Sequence, residues 1–211
     1  MTGPLQSVGR VALADHVYDA LYRNMLIGAI APGVRLNIDQ LARDLQVSPT
    51  PLREALARLE AEEVVVKRPL AGYIATPLLT QTGVSELYDL RMQLEPWLAT
   101  QAAASNEEWP RSPKARIADD DLARLAARDA WFHDVVAGLA GNALAQQALR
   151  RLNAHFHVYR LFARGAELPR DLAGHDAIAD AIRAHDKTEA ARAIRRHLIE
   201  SRNQLLAIAG A

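Results

Sequence analysis

The chain has 211 residues, half of them hydrophobic, enough to bury a sizeable core as one large domain or two small ones. Its 25 Lys and Arg balance 25 Asp and Glu, so no global field draws it to nucleic acid or to a membrane, and any polyanion has to be met by a local patch. With no cysteine, disulfides, thiolate metal sites and cysteine nucleophiles are excluded, a composition compatible with a reducing cytoplasm. Residues 1–7 lack the basic-then-apolar order of a signal peptide. The longest charge-free stretches, 69–85 and 135–149, are broken by Pro, Gly, Thr, Asn and Gln and fall short of a spanning helix. The expectation is a cytoplasmic protein that makes no use of a membrane.

In chain order, Ala14, Val17, Leu21 and Met25 mark one face of a predicted helix over 10–27, which Ala31-Pro32-Gly33 ends. A second helix starts at Asn37, with Gln40 three residues on as a capping pair and Leu41 and Leu45 facing inward. Gln46-Val47 makes a very short turn. Ser48 then caps a third helix whose first turn tolerates Pro49 and Pro51, and Leu52, Leu56 and Leu59 hold its inner face. Val64 to Lys67, a turn at Arg68-Pro69-Leu70-Ala71-Gly72, and Tyr73 to Thr76 read as a hairpin. Three helices and a hairpin make a winged helix-turn-helix over 1–76. Residues 77–83 read as a linker, and 84–211 as an all-helical antiparallel bundle with a loop around Trp109-Pro110 to Pro113. The fold class is mainly α.

In a helix-turn-helix the second helix protrudes, and its N-terminal residues touch base edges in the major groove. Arg53, one turn inside, is the natural base reader. Ser48 and Thr50 can donate to phosphate or base, Arg58 lies further along the helix, and Lys67 and Arg68 at the hairpin tip can meet the flanking backbone. Against this stands the balance of eight basic and eight acidic side chains over 1–76, which leaves a protein-interaction module open.

Pro32-Gly33-x-x-Leu36, Leu41-Ala42, the run Val47-Ser48-Pro49-Thr50-Pro51-Leu52-Arg53-Glu54-Ala55-Leu56 and Arg58-Leu59-Glu60 resemble the head of GntR-family transcriptional regulators. The resemblance implies a homodimer on a short palindromic double-stranded operator, with Arg53 the residue carried over most securely. Pro49 stands where many members have an arginine that reaches DNA, which shifts base readout to Thr50 and Arg53. Gln46 replaces a common turn glycine and costs about 1 kcal/mol if its backbone is left-handed.

Further on, Leu122, Leu125, Ala126, Phe132 and Val136 form an apolar stripe on a helix predicted over 119–137, and Asp129 and His133 lie within it, four apart. That spacing puts a carboxylate and an imidazole on one face, within reach of one ion. His175 shares a stripe with Ile178 and Ile182, and His197 with Ile194, Leu198 and Leu205. A buried aspartate needs compensation, which a divalent cation held with three imidazoles provides. The bland alternative is that each histidine is simply hydrogen-bonded. The donor set suits Zn, Ni, Mn or Fe, with Zn placed first. Arg91, bracketed by Leu87, Leu94 and Leu98, sits on an inward stripe and requires an anion, either an effector carboxylate or, in a structural ion pair, Glu95 or another acidic side chain. Of the remaining histidines, His155 is a candidate to approach the cavity, whereas His157 and His16 look off-face; an exposed or packed imidazole is the default expectation for all three.

Asp129-x-x-x-His133, Gly141-Asn142, His175-x-x-Ile178-x-x-Ala181-Ile182 and His197-Leu198 are similar to the FCD domain, the effector domain of the FadR subfamily, over about residues 82–205. That resemblance implies a cavity metal held by Asp129, His133, His175 and His197, with open positions facing a small organic acid such as lactate or a sugar acid. Fatty acyl-CoA is disfavoured, because members that bind it generally lack this histidine set. The reading is a DNA-binding regulator, in repressor mode, tuned by a small carboxylate near a metal. The alternatives are a metalloenzyme and a regulator that senses the metal itself.

Overall fold

A computed structural model describes residues 8–111, 121–164 and 174–210, and the chain divides into two compact units after Leu78. Pro113 of the expected loop and residue 119, the expected helix start, lie outside the described residues.

In the first unit, α1 (Val8–Leu26) buries Ala14, Val17, Leu21 and Met25, the stripe its spacing marks. It packs on α3 (Pro49–Ala61), whose Leu52, Leu56 and Leu59 are fully buried. Each such leucine contributes roughly 1.5–3 kcal/mol of burial. Between them, α2 (Ile38–Asp44) is capped by Asn37, whose Oδ1 accepts from the backbone N–H of Asp39 and Gln40. The expected reciprocal half of that cap does not form: the Gln40 amide turns along the helix, donating to Asp44 Oδ1 at 2.7 Å and accepting from Arg43. Leu41 and Leu45 are only half-buried, and Ala42 is the residue α2 buries. Ser48 occupies the cap position of α3 in extended conformation, but its hydroxyl makes no cap hydrogen bond.

The hairpin forms as β2 (Val65–Arg68) and β3 (Gly72–Ala75). A third strand, β1 (Arg35–Leu36), pairs with β3 in the order β1-β3-β2. Gly33, at φ 75°, makes the turn that brings it there, its N–H donating to the Ala75 carbonyl at 2.9 Å. Two residues carry no alternation, so this strand has no signal in the sequence; it pairs Arg35 with Ile74 and Leu36 with Tyr73, far downstream.

In the second unit α4 (Gln81–Ala104) starts three residues before the expected boundary, because Thr80 caps it by accepting from the Gly83 N–H. Gly83, read as linker, therefore lies in the first helical turn. After α4 come α5 (Asp121–Leu139), α6 (Ala143–Arg151), α7 (Ala154–Phe162), α8 (His175–Arg183) and α9 (Lys187–Ala209). Asn142 and Asp186 cap α6 and α9, each accepting a backbone N–H three residues on. The long helices α4 and α9 pack against each other, and α5, α7 and α8 close around them. Among the described residues no helix is long and apolar enough to cross a membrane.

Candidate metal centre and nucleic-acid interface

In the first unit Ser48, Thr50 and Arg53 are exposed along the N-terminal half of α3, whose opposite face carries the buried leucines. The tight turn before it runs through Gln46 at φ 53°, the left-handed position anticipated for that residue. Lys67 and Arg68 are exposed at the hairpin, with Lys67 Nζ 5.6 Å from the Tyr73 ring centre. Arg58 is exposed as well, on the side of α3 nearer α1. Its guanidinium is ion-paired with Asp15 and lies 4.4 Å from the Tyr18 ring centre, so α1 holds it back from the face that carries Arg53.

In the second unit Asp129 and His133 from α5, His175 from α8 and His197 from α9 bring one ligand atom each within 4.8 Å of one another. Asp129, His133 and His175 are buried, and His197 half-buried. Asp129 Oδ1 lies 3.2 Å from His175 Nε2 and 3.6 Å from His133 Nε2. Its Oδ2 accepts from His155 Nδ1 at 2.7 Å, so His155 of α7 reaches the cluster from outside. Gly174, at φ 101°, lets α8 begin against α9: a Cβ there would lie 3.3 Å from Cβ of His197. Phe132 stacks flat on His175, centroids 3.8 Å apart and planes 5° apart, which fixes the imidazole plane.

Arg91, 3% exposed, is paired with Glu95, which accepts from its Nε. Its NH2 group lies 3.2 Å from His133 Nε2, beside the cluster. The other oxygen of Glu95 accepts from His133 Nδ1 at 2.6 Å. The result is a relay Arg91–Glu95–His133 that joins α4 to α5.

Charge is distributed unevenly here. Burial would push the Asp129 carboxyl up, yet the attraction of His155, its hydrogen bond to Oδ2 and the close approach of His133 and His175 hold it well below the usual carboxylate range. Burial would lower His133, but Glu95 outweighs it and raises the ring to about 9. Burial, then repulsion from His133 and His175, pushes His197 down to about 3, and burial also lowers His155 and His175. His175 Nε2 is buried and, despite its approach to Asp129, has no hydrogen-bond partner among the described residues. A neutral imidazole nitrogen left over beside an ionised carboxylate fits a cation. The residues thus suit a divalent ion held by three imidazoles and a carboxylate. The Glu95–His133 bond is the outer support such ligands take.

Stripe periodicity placed Asp129, His133, His175 and His197 inward, but the Glu95–His133 link, the Phe132 stack and the Gly174 contact leave no mark in sequence. They join helices far apart along the chain. Only the four-residue spacing of Arg91 and Glu95 signalled part of the relay.

Residues 86–200 match the FCD domain and residues 13–73 match the bacterial regulatory proteins of the gntR family. The repressor GlaR of Escherichia coli is 26% identical over 86% of this chain and 90% of its own. The gluconate operon repressor of Bacillus subtilis is 21% identical over 87% of this chain and 81% of its own. A GntR regulator from Rhodococcus sp. RHA1 has the same fold, with a TM-score of 0.68 at 21% identity over 93% of this chain and 98% of that one.

Proposed function

Since the chain belongs to the GntR family of DNA-binding transcriptional regulators, with an FCD domain as its C-terminal part, we propose that it is a homodimeric repressor in the cytoplasm, released from a palindromic operator by a small carboxylate. The observation that carries the reading is the convergence of Asp129, His133, His175 and His197 in the same chain as an α3 that exposes Ser48, Thr50 and Arg53. Residues 1–76 act as the head, the segment after them as far as the Thr80 cap as the link, and the helices from α4 onward as the sensing domain. Arg53 reads a base edge, Ser48 and Thr50 bond phosphate or base, and Lys67 and Arg68 hold the flanking backbone.

The four ligands would hold a divalent ion, Zn first, with Ni, Mn and Fe as alternatives. Such an ion supplies fixed positive charge and open positions for a carboxylate. Glu95 orients His133 by accepting from Nδ1, which leaves Nε2 to face Asp129. Asp129, ionised and bonded by His155, would balance the charge of the ion. Arg91 NH2, not taken up by Glu95, is the donor we assign to the effector carboxylate. Effector binding then favours one of two arrangements of the helical domain, and the paired heads lose their fit to the operator. The chain's relatives are regulators rather than enzymes, which sets the metalloenzyme reading aside.

The test is a labelled-DNA titration against the chain's own upstream region at fixed salt. Saturable binding that lactate or gluconate releases in the metal-loaded protein, and not after chelation, supports the reading. Operator affinity that follows metal concentration with no organic acid present would make the metal the signal.

A further inference from the structure

A cavity of about 370 Å³ in the helical unit is lined by Trp109, Arg128, Trp131, Phe132, His175 and Arg183, with Arg111 and Asp176 also on its wall. That is about a dozen water volumes and falls within the range of small-ligand sites. Its aromatic wall is angled. Trp109 meets Trp131 edge-on, centroids 6.5 Å apart at 81°, and Phe132 at 5.6 Å and 42°. Its charge is lopsided, three guanidiniums against one carboxylate. Arg183 lies 5.2 Å from the Trp109 ring centre and is tied to Asp180. Arg128 is exposed and has no ion-pair partner among the described residues.

Angled ring faces favour a planar apolar body, and exposed guanidiniums favour a carboxylate that they grip in a planar fork. We propose that this cavity binds a small aromatic monocarboxylate. The site is distinct from the Asp129 cluster and does not rest on the function assigned to it. The two nevertheless share a wall: His175 lines the cavity, stacks on Phe132 and aims Nε2 at Asp129. A ligand pressing on Phe132 therefore bears on a member of the cluster.

The experiment is a titration of the full chain with benzoate, followed by calorimetry and by tryptophan fluorescence, since Trp109 and Trp131 line the cavity. Cyclohexanecarboxylate keeps the charge without the ring, and benzamide keeps the ring without the charge. Saturable benzoate binding is expected, with both analogues weaker by about tenfold or more. Arg128→Gln with Arg183→Gln should weaken benzoate by about tenfold or more, and Arg128→Glu alone should do the same; circular dichroism checks that these variants fold. Chelator and Asp129→Asn remove no contact to the ligand and reach it only through His175, so they should weaken benzoate less than the arginine variants do. The proposal is overturned by absence of saturable binding, by cyclohexanecarboxylate binding as tightly as benzoate, or by affinity lost with Asp129→Asn and kept in the arginine variants. The last result would place the ligand at the cluster instead.

Discussion

His133 Nδ1 lies 2.6 Å from Glu95 Oε2, so the ring donates to that carboxylate and turns Nε2 toward Asp129. The second oxygen of Glu95 is committed to Arg91, itself buried. Glu95→Gln is expected to weaken divalent-metal affinity by about 10- to 100-fold, the usual effect of losing an outer-shell partner. It should also destabilise the fold by about 3–5 kcal/mol, since Arg91 is left without its counter-charge. Arg91→Met with Glu95→Gln should recover part of that stability without restoring metal affinity. Competitive metal titration and denaturant unfolding read the two effects separately.

If Asp129, His133, His175 and His197 hold an ion, the purified chain contains one equivalent of divalent metal by elemental analysis, and Asp129→Asn contains none. Removing the metal with a chelator should lower thermal stability. The loss is about 2.7 kcal/mol where free metal had stood at a hundred times its dissociation constant. An unchanged melt and no bound metal would refute the assignment.

Arg53 and Arg58 lie on the same helix, but only Arg53 is clear of α1. Arg53→Ala is expected to cost about 1–3 kcal/mol of operator binding and to relax sequence preference at one base pair of each half-site. Arg58→Ala should leave base preference alone and instead lower stability slightly, by up to about 1 kcal/mol, because its pair with Asp15 is exposed. Band-shift titrations on wild-type and singly substituted operators decide between the two behaviours.

Gln46 holds a left-handed backbone, φ 53°, in the turn between α2 and α3. Gln46→Gly is expected to stabilise the head by about 1 kcal/mol in denaturant unfolding, because glycine adopts that region without a Cβ penalty.

His157 Nδ1 is buried with no hydrogen-bond partner among the described residues, and burial, then Arg160, pushes the ring down to about 4. A histidine whose folded value is depressed binds its proton more readily when unfolded. Its contribution to stability is therefore complete above the ordinary 6.5 and is lost as pH falls toward 4. The loss is on the order of 3 kcal/mol. Unfolding of His157→Gln at pH 7.5 and 4.5 should show a correspondingly smaller difference than wild type.

Much of this molecule is legible in its residues, because local periodicity reports which side of an element meets the core. Ala14, Val17, Leu21 and Met25 on α1, and Leu52, Leu56 and Leu59 on α3, are buried as their spacing demands. The same logic turned Asp129, His133 and His175 inward, since a polar residue inside an apolar stripe has nowhere else to point. Tertiary structure alone decided the rest. Strand β1 exists because β3 offers it a backbone partner. Arg58 is withdrawn because Asp15 and Tyr18 happen to face it. Arg91 and His133 are joined through Glu95 because α4 and α5 lie side by side. Each of these is a contact between segments distant along the chain, and a one-dimensional pattern holds no record of which faces meet.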